Sequence, residues 1–156
     1  MIGADCRVGA RTLVLVTMLI VSTLVCLGDI SSRRISNRLV AMLLLCSFVL
    51  VLSQGHLLAS HLLALVLTFL IALVGFYTKV FGGGDAKLLT AFSLSLPLSL
   101  IDDALFLVAI SGGLLAVFYL VKYRLLKLVP TDEILGLPYG LAISTGFYIT
   151  ILSYYL

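Results

Sequence analysis

The chain has 156 residues, of which 62% are hydrophobic and 11% are charged, and its net charge is +3. Soluble domains are about 45–50% apolar and about 25% charged, so this composition excludes a soluble globular protein and makes the bilayer the expected solvent. The basic residues stand in short segments between long apolar runs, which is typical of contacts with lipid headgroups. We therefore predict membrane lipid, and no nucleic acid, among the partners.

Six apolar segments follow one another along the chain, and each is predicted to form a transmembrane helix. They lie at about residues 12–28, 39–55, 57–78, 86–101, 104–121 and 138–156. Pro97 indicates a kink or an early end in the fourth segment. The sequence thus predicts an all-α polytopic membrane protein, a bundle of about six transmembrane helices that forms a single domain over residues 1–156.

Lysine and arginine are distributed unevenly when the six helices are threaded alternately through the bilayer. Only Arg7 and Arg11 fall on one side. The other side carries eight basic residues: Arg33, Arg34, Arg38, Lys79, Lys87, Lys122, Arg124 and Lys127. Basic residues concentrate in cytoplasmic loops, so we predict these eight in the cytoplasm and both termini outside. No charge is expected in the middle of a span, which disfavours a channel or a transporter.

Neither a metal nor a cofactor is predicted. Cys6, Cys26 and Cys46 form no Cys-x-x-Cys pair, so they do not suggest a zinc site. His56 and His61 are five residues apart, about 140° around a helix, and therefore do not share a face.

Two acids are predicted to emerge on the same side of the membrane. Asp29 lies at the end of the first helix, and Asp85 lies at the start of the fourth, directly after Gly82-Gly83-Gly84. Taken singly, Asp85 could cap its helix and Asp29 could be a solvated end residue. As a pair they could hydrolyse an amide, because an ionised carboxylate can activate water while a protonated one polarises the carbonyl.

Helix electrostatics lead to an expectation about which acid is ionised. A helix N-terminus favours negative charge by about 0.3–1 kcal/mol and a C-terminus disfavours it. Asp85 is therefore expected to be the ionised base and Asp29 the protonated acid. The assignment reverses if the first helix continues past Asp29.

These motifs resemble those of the type IV prepilin peptidase family. Gly82-x-Gly84-Asp85 is similar to the Gly-x-Gly-Asp signature of the family, and Asp29 followed by Ile35-x-Asn37 is similar to its first aspartate motif. The family usually has a proline where this chain has Ser36, a difference that removes no catalytic group.

A third element is similar to the short members of the family that serve Flp-type pili. It is Pro138-Tyr139-Gly140, which opens the last predicted helix. The methyltransferase domain of longer members carries paired Cys-x-x-Cys motifs, which this chain lacks. The resemblance therefore implies peptidase activity without methylation.

The resemblance implies an aspartic endopeptidase of the prokaryotic inner membrane, with Asp29 and Asp85 as the catalytic residues facing the cytoplasm. Its implied substrates are prepilin or pseudopilin precursors, from which it removes a short cytoplasmic leader peptide. The pilus assembly machinery is a further candidate partner.

Two polar residues near these acids keep alternative interpretations. Lys87 is expected to anchor the helix to lipid headgroups, with a contact to the substrate backbone as the alternative. Arg33, Arg34 and Arg38 are expected to anchor the loop to anionic lipid, and Asn37 in the same loop could orient Asp29 through an amide hydrogen bond.

Two other functions compete with leader cleavage. One is a non-enzymatic membrane subunit for assembly, in which the glycines and both acids are structural. The other is a presenilin-like protease, which also uses Gly-x-Gly-Asp but cuts inside the membrane. Cleavage of a precursor, and the position of the cut, would separate the three.

Overall fold

The described part of the chain folds almost entirely into α-helices. The structure, a computed structural model, describes residues 2–54, 58–122 and 138–156. The helices are α1 (Ile2–Ser32), α2 (Asn37–Gln54), α3 (Leu58–Tyr77), α4 (Gly83–Ser93), α5 (Ile101–Leu120) and α6 (Tyr139–Tyr155), and a 3₁₀ turn, Leu98–Leu100, precedes α5. The predicted all-α fold is confirmed. His56, Arg124 and Lys127 of the sequence predictions lie outside the described residues.

Three helical stretches among the described residues are long and apolar enough to cross a bilayer. They are Val8–Ser32, Leu58–Tyr77 and Leu98–Leu120, and Asn37–Ser53 is an apolar but shorter helix. Their side chains are exposed on many apolar positions, including Leu13, Val74 and Leu114. A surface of this kind is stable in lipid and not in water, which agrees with the predicted membrane protein.

The fourth predicted segment does not form one spanning helix. α4 has 11 residues and rises about 16 Å at 1.5 Å per residue, roughly half of the hydrocarbon core. It ends at Ser93, and the turn from Leu94 to Pro97 is buried. The early end that Pro97 indicated is confirmed, and the predicted helix over 86–101 is wrong because proline cannot continue the ladder of helical hydrogen bonds.

The turn after α4 finds hydrogen-bond partners inside the protein. His61 Nδ1 lies 3.0 Å from the carbonyl oxygen of Leu94, and the Tyr155 hydroxyl donates to the carbonyl of Ser95 at 3.0 Å. Buried carbonyl groups at a helix end need such partners. The far end of α4 is thereby fixed to α3 and α6.

α4 occupies the centre of the bundle and packs against α2, α3 and α6. The ring of Phe92 stacks on that of Phe147 in α6 with centroids 5.8 Å apart, and both side chains are fully buried. On the α2 side, the Ser47 hydroxyl donates to the carbonyl of Ala91 at 2.9 Å. These contacts hold α4 in place, so its first turn is presented to the neighbouring helices at one end of the bundle.

Candidate active site

Asp29 is buried in the last turn of α1. Its side chain is only 6% exposed, and its Oδ2 accepts a hydrogen bond from the backbone N–H of Gly140 at 2.8 Å. The predicted end of the first helix near residue 28 is wrong, since α1 continues past Asp29 to Ser32. The assignment of Asp29 as the protonated acid depended on that premise and loses its support.

Asp85 is the third residue of α4 and caps its own helix. Gly82 is the N-cap residue, with extended backbone at φ −72° and ψ 156°, and its N–H donates to Asp85 Oδ2 at 3.0 Å. The capping role considered for Asp85 is therefore present. The capping bond uses Oδ2, and Oδ1 is the other oxygen of the carboxyl group.

The two acids line one pocket of about 370 Å³. Its wall comprises Asp29, Arg33, Arg34, Ile35, Gly82, Gly83, Gly84 and Asp85. Burial raises the pKa of Asp85, the hydrogen bond from Gly82 lowers it, and the negative charge of Asp29 raises it again. The structure thus brings together the two acids that the sequence placed on the same side.

The segments that carry the two acids touch directly at Gly84. A Cβ added to Gly84 would lie 3.0 Å from the Cβ of Ile35 and 3.3 Å from its Cγ1. Such contacts are shorter than the usual van der Waals separation of about 3.5–4.0 Å between carbon atoms. Glycine at this position therefore lets the start of α4 approach the loop that follows Asp29.

A hydrogen bond also joins these two segments on the exposed side. Lys87 Nζ donates to Asn37 Oδ1 at 3.1 Å, across 50 residues of sequence. Asn37 is the first residue of α2, and its amide oxygen accepts from Lys87. The available signal was that Asn37 ends the first aspartate motif and that Lys87 lies two residues after Asp85.

The predicted Pro138-Tyr139-Gly140 element reaches the same end of the bundle. Pro138 is buried and is the N-cap residue of α6. The ring of Tyr139 meets that of Phe81 edge-on, with centroids 6.3 Å apart. Tyr139 and Asp85 also line a second pocket, of about 580 Å³.

Arg33 and Arg34 were predicted only to anchor the loop to lipid, yet both line the pocket of the acids. Arg33 has a left-handed backbone, with φ 53°, and its guanidinium carbon lies 5.9 Å from the ring centre of Tyr119. Their place within the first aspartate motif, four and five residues after Asp29, was the available signal. Among the described residues, no three His, Cys, Asp or Glu side chains group closely enough to hold a metal ion.

Comparison with known proteins gives one match. No curated protein and no solved structure matches the chain. The model of the type IV leader peptidase family matches residues 13–119, which include both acids, both motifs around them and most of the described bundle. Because this match covers more than half of the sequence, the chain belongs to the type IV leader peptidase family.

Proposed function

We propose that this membrane peptidase is an aspartic endopeptidase that removes the leader peptide from prepilin or pseudopilin precursors. The observation that carries the proposal is the pocket shared by Asp29 and Asp85 in a chain of the leader peptidase family. Two carboxyl groups in one pocket can divide the roles of acid and base, since the charge of one disfavours ionisation of the other.

The surroundings of the two acids support Asp29 as the base. The Gly140 N–H donates to Asp29, and Arg33 lies along the same pocket; both interactions favour a carboxylate. Burial disfavours ionisation of both acids, and each accepts one backbone N–H. The assignment therefore depends on the charged neighbours: Arg33 favours a carboxylate at Asp29, and the charge of Asp29 raises the pKa of Asp85, which is the acid in this scheme. This assignment is the reverse of the one expected from the sequence.

Hydrolysis then needs no group beyond the two acids and water. Asp29 takes a proton from water as the water oxygen attacks the scissile carbonyl, while the proton of Asp85 is donated to the carbonyl oxygen. When the tetrahedral intermediate collapses, one of its hydroxyl groups returns a proton to Asp85, the C–N bond breaks, and the proton held by Asp29 passes to the leaving amine. The products are a new carboxyl terminus and a new amine.

The position of the acids in their helices favours a cut near the membrane surface over one inside the bilayer. Asp29 lies in the last turn of α1 and Asp85 in the first turn of α4. We propose that this end of the bundle faces the cytoplasm of a prokaryotic cell, with both termini outward. A precursor with a short basic leader and an apolar segment would present its junction at this level.

The test is cleavage of a pilin precursor by the purified protein in liposomes. Asp29→Asn and Asp85→Asn should each lower kcat by roughly 10⁴-fold, the size of effect seen when one member of a catalytic set is removed. Asp102→Asn is the matched control, because Asp102 is an exposed acid in the first turn of α5 and should leave kcat unchanged. All variants must insert and fold as the wild type does.

Three outcomes would contradict the proposed reaction or the proposed position of the cut. Full cleavage by either variant would remove that acid from the mechanism. Absence of cleavage by the wild type, with every precursor tried, would favour an assembly subunit. A cut within the apolar segment, located by mass spectrometry, would favour a presenilin-like protease.

A further inference from the structure

The start of α6 contributes to the site although it lies beyond the residues that the family model matches. The match ends at residue 119, whereas α6 begins at Tyr139. Gly140, the second residue of α6, is buried. Its N–H donates to Asp29 Oδ2 at 2.8 Å, across 111 residues of sequence.

We propose that Gly140 is a positioning residue, whose backbone N–H holds the Asp29 carboxylate in the orientation needed to activate water. This inference rests on the proposed function, in which Asp29 is the base. The direct evidence is the hydrogen bond between Gly140 and Asp29 and the close approach of these two residues.

Asp29 satisfies a donor that α6 cannot satisfy itself. The N–H groups in the first turn of a helix have no partner within the helix, and an N-cap Ser, Thr, Asp or Asn usually accepts from one of them. Pro138 occupies the N-cap position here and has no side-chain acceptor. The carboxylate of α1 takes that role, and the positive end of the α6 dipole in turn favours its negative charge.

The close approach requires glycine. A Cβ at residue 140 would lie 2.8 Å from Asp29 Oδ2, 3.1 Å from its Cγ and 3.3 Å from its Cβ. All three atoms belong to the same carboxylate-bearing side chain, so a methyl group at residue 140 displaces Asp29 itself. The side chain of Asp29 adjoins the pocket, and a shift into that space takes its carboxylate away from the N–H of residue 140.

If Gly140 positions Asp29, its substitution should change kcat and not KM. A displaced base slows the chemical step, whereas substrate binding by the rest of the site is retained. Misplacement by about 1 Å can lower a rate about 10²-fold. Gly140→Ala should therefore lower kcat about 100-fold and change KM by less than about twofold.

Gly113→Ala is the matched control for the kinetic experiment. Gly113 is also a helical glycine, but a Cβ there would meet no atom within 4 Å. This variant should keep the kcat and KM of the wild type. Circular dichroism and thermal unfolding in the same detergent would show whether Gly140→Ala is folded, and a folded variant with wild-type kcat overturns the proposal.

A second experiment tests the hydrogen bond without relying on activity. In protein labelled with ¹⁵N-glycine, the Gly140 amide is assigned by its loss in Gly140→Ala. A hydrogen bond to a carboxylate is short and strong and should move the Gly140 proton resonance downfield. Asp29→Ala should therefore shift it upfield, whereas the Gly113 amide, assigned by its loss in Gly113→Ala, should not move. An unmoved Gly140 resonance overturns the proposal.

The two experiments also separate failure of this inference from failure of the proposed function. In one outcome the wild type cleaves no precursor, while its Gly140 resonance responds to Asp29→Ala. That result refutes the peptidase reaction and the positioning role, but it supports the hydrogen bond between Gly140 and Asp29. Cleavage by the wild type together with normal kcat in Gly140→Ala refutes positioning alone.

Discussion

The two acids of the pocket are held by different kinds of contact. Asp85 accepts from Gly82, three residues before it, whereas Asp29 accepts from Gly140, 111 residues after it. The setting of Asp85 therefore depends on one helical turn, and that of Asp29 on the packing of α6 against α1. One half of the site is therefore a local structure, whereas the other half exists only when the bundle is assembled.

The largest expected difference between the two halves concerns stability. Asp29→Ala leaves the buried N–H of Gly140 without its acceptor, which should lower the free energy of unfolding by about 1–3 kcal/mol. Asp85→Ala should cost less, about 0.5–1 kcal/mol, because the N–H of Gly82 is exposed and can bond to water. Denaturation of both variants in mixed micelles measures the two values, and equal losses would contradict the distinction between a tertiary and a local setting.

Asp29→Asn, unlike Asp29→Ala, keeps an acceptor oxygen for the N–H of Gly140. It should retain most of the stability that Asp29→Ala loses.

The contact between the two halves should respond to a single methyl group. Gly84→Ala places a Cβ 3.0 Å from that of Ile35, and we expect kcat to fall about tenfold because overpacking separates the acid-bearing segments. Ile35→Ala in the same molecule removes atoms that crowd the new methyl group and should recover part of the loss. Kinetics of the two single variants and the double variant test this, and additive effects would contradict a direct coupling.

A smaller effect is expected from the hydrogen bond between Lys87 and Asn37. Lys87→Met and Asn37→Ala should each destabilise the protein slightly, with a coupling of about 0.5–1.5 kcal/mol in a double-mutant cycle. Both residues are exposed, so the lower part of that range is expected. A coupling of zero would show that the bond does not join the segments in the membrane, and would return Lys87 to the role of a lipid anchor.

The smallest expected effect is a dependence of stability on pH through Asp85. Its pKa is raised in the folded protein, first by burial, so the folded state holds the proton more tightly than the unfolded chain. The contribution of Asp85 to stability is then fully present below the ordinary aspartate value of about 3.9 and is lost as pH rises through the raised pKa. Asp85→Asn should flatten that part of the profile of Tm against pH, and an unchanged profile would contradict the shift.

The sequence was sufficient wherever a residue acts through its immediate neighbours. The apolar runs predicted the helices, because a helix in lipid satisfies its own backbone and needs only apolar side chains outside. Pro97 indicated the end of α4, and the place of Asp85 at the start of that helix indicated its capping role. The fourth segment was extended too far, because its apolar residues continue through a buried turn that hydropathy cannot distinguish from helix.

Contacts between residues that meet across the bundle could not be predicted from the sequence. Amino-acid order determined by itself that the chain is an all-α membrane protein with two acids at helix ends. Only the packing of α1 against α6 decided that Asp29 accepts from Gly140, and only the approach of α4 to the first loop decided that Asn37 bonds to Lys87. Many polar groups along a sequence could pair with an N–H at a helix start or with a polar side chain. Close packing of the helices brings one of them within hydrogen-bond distance.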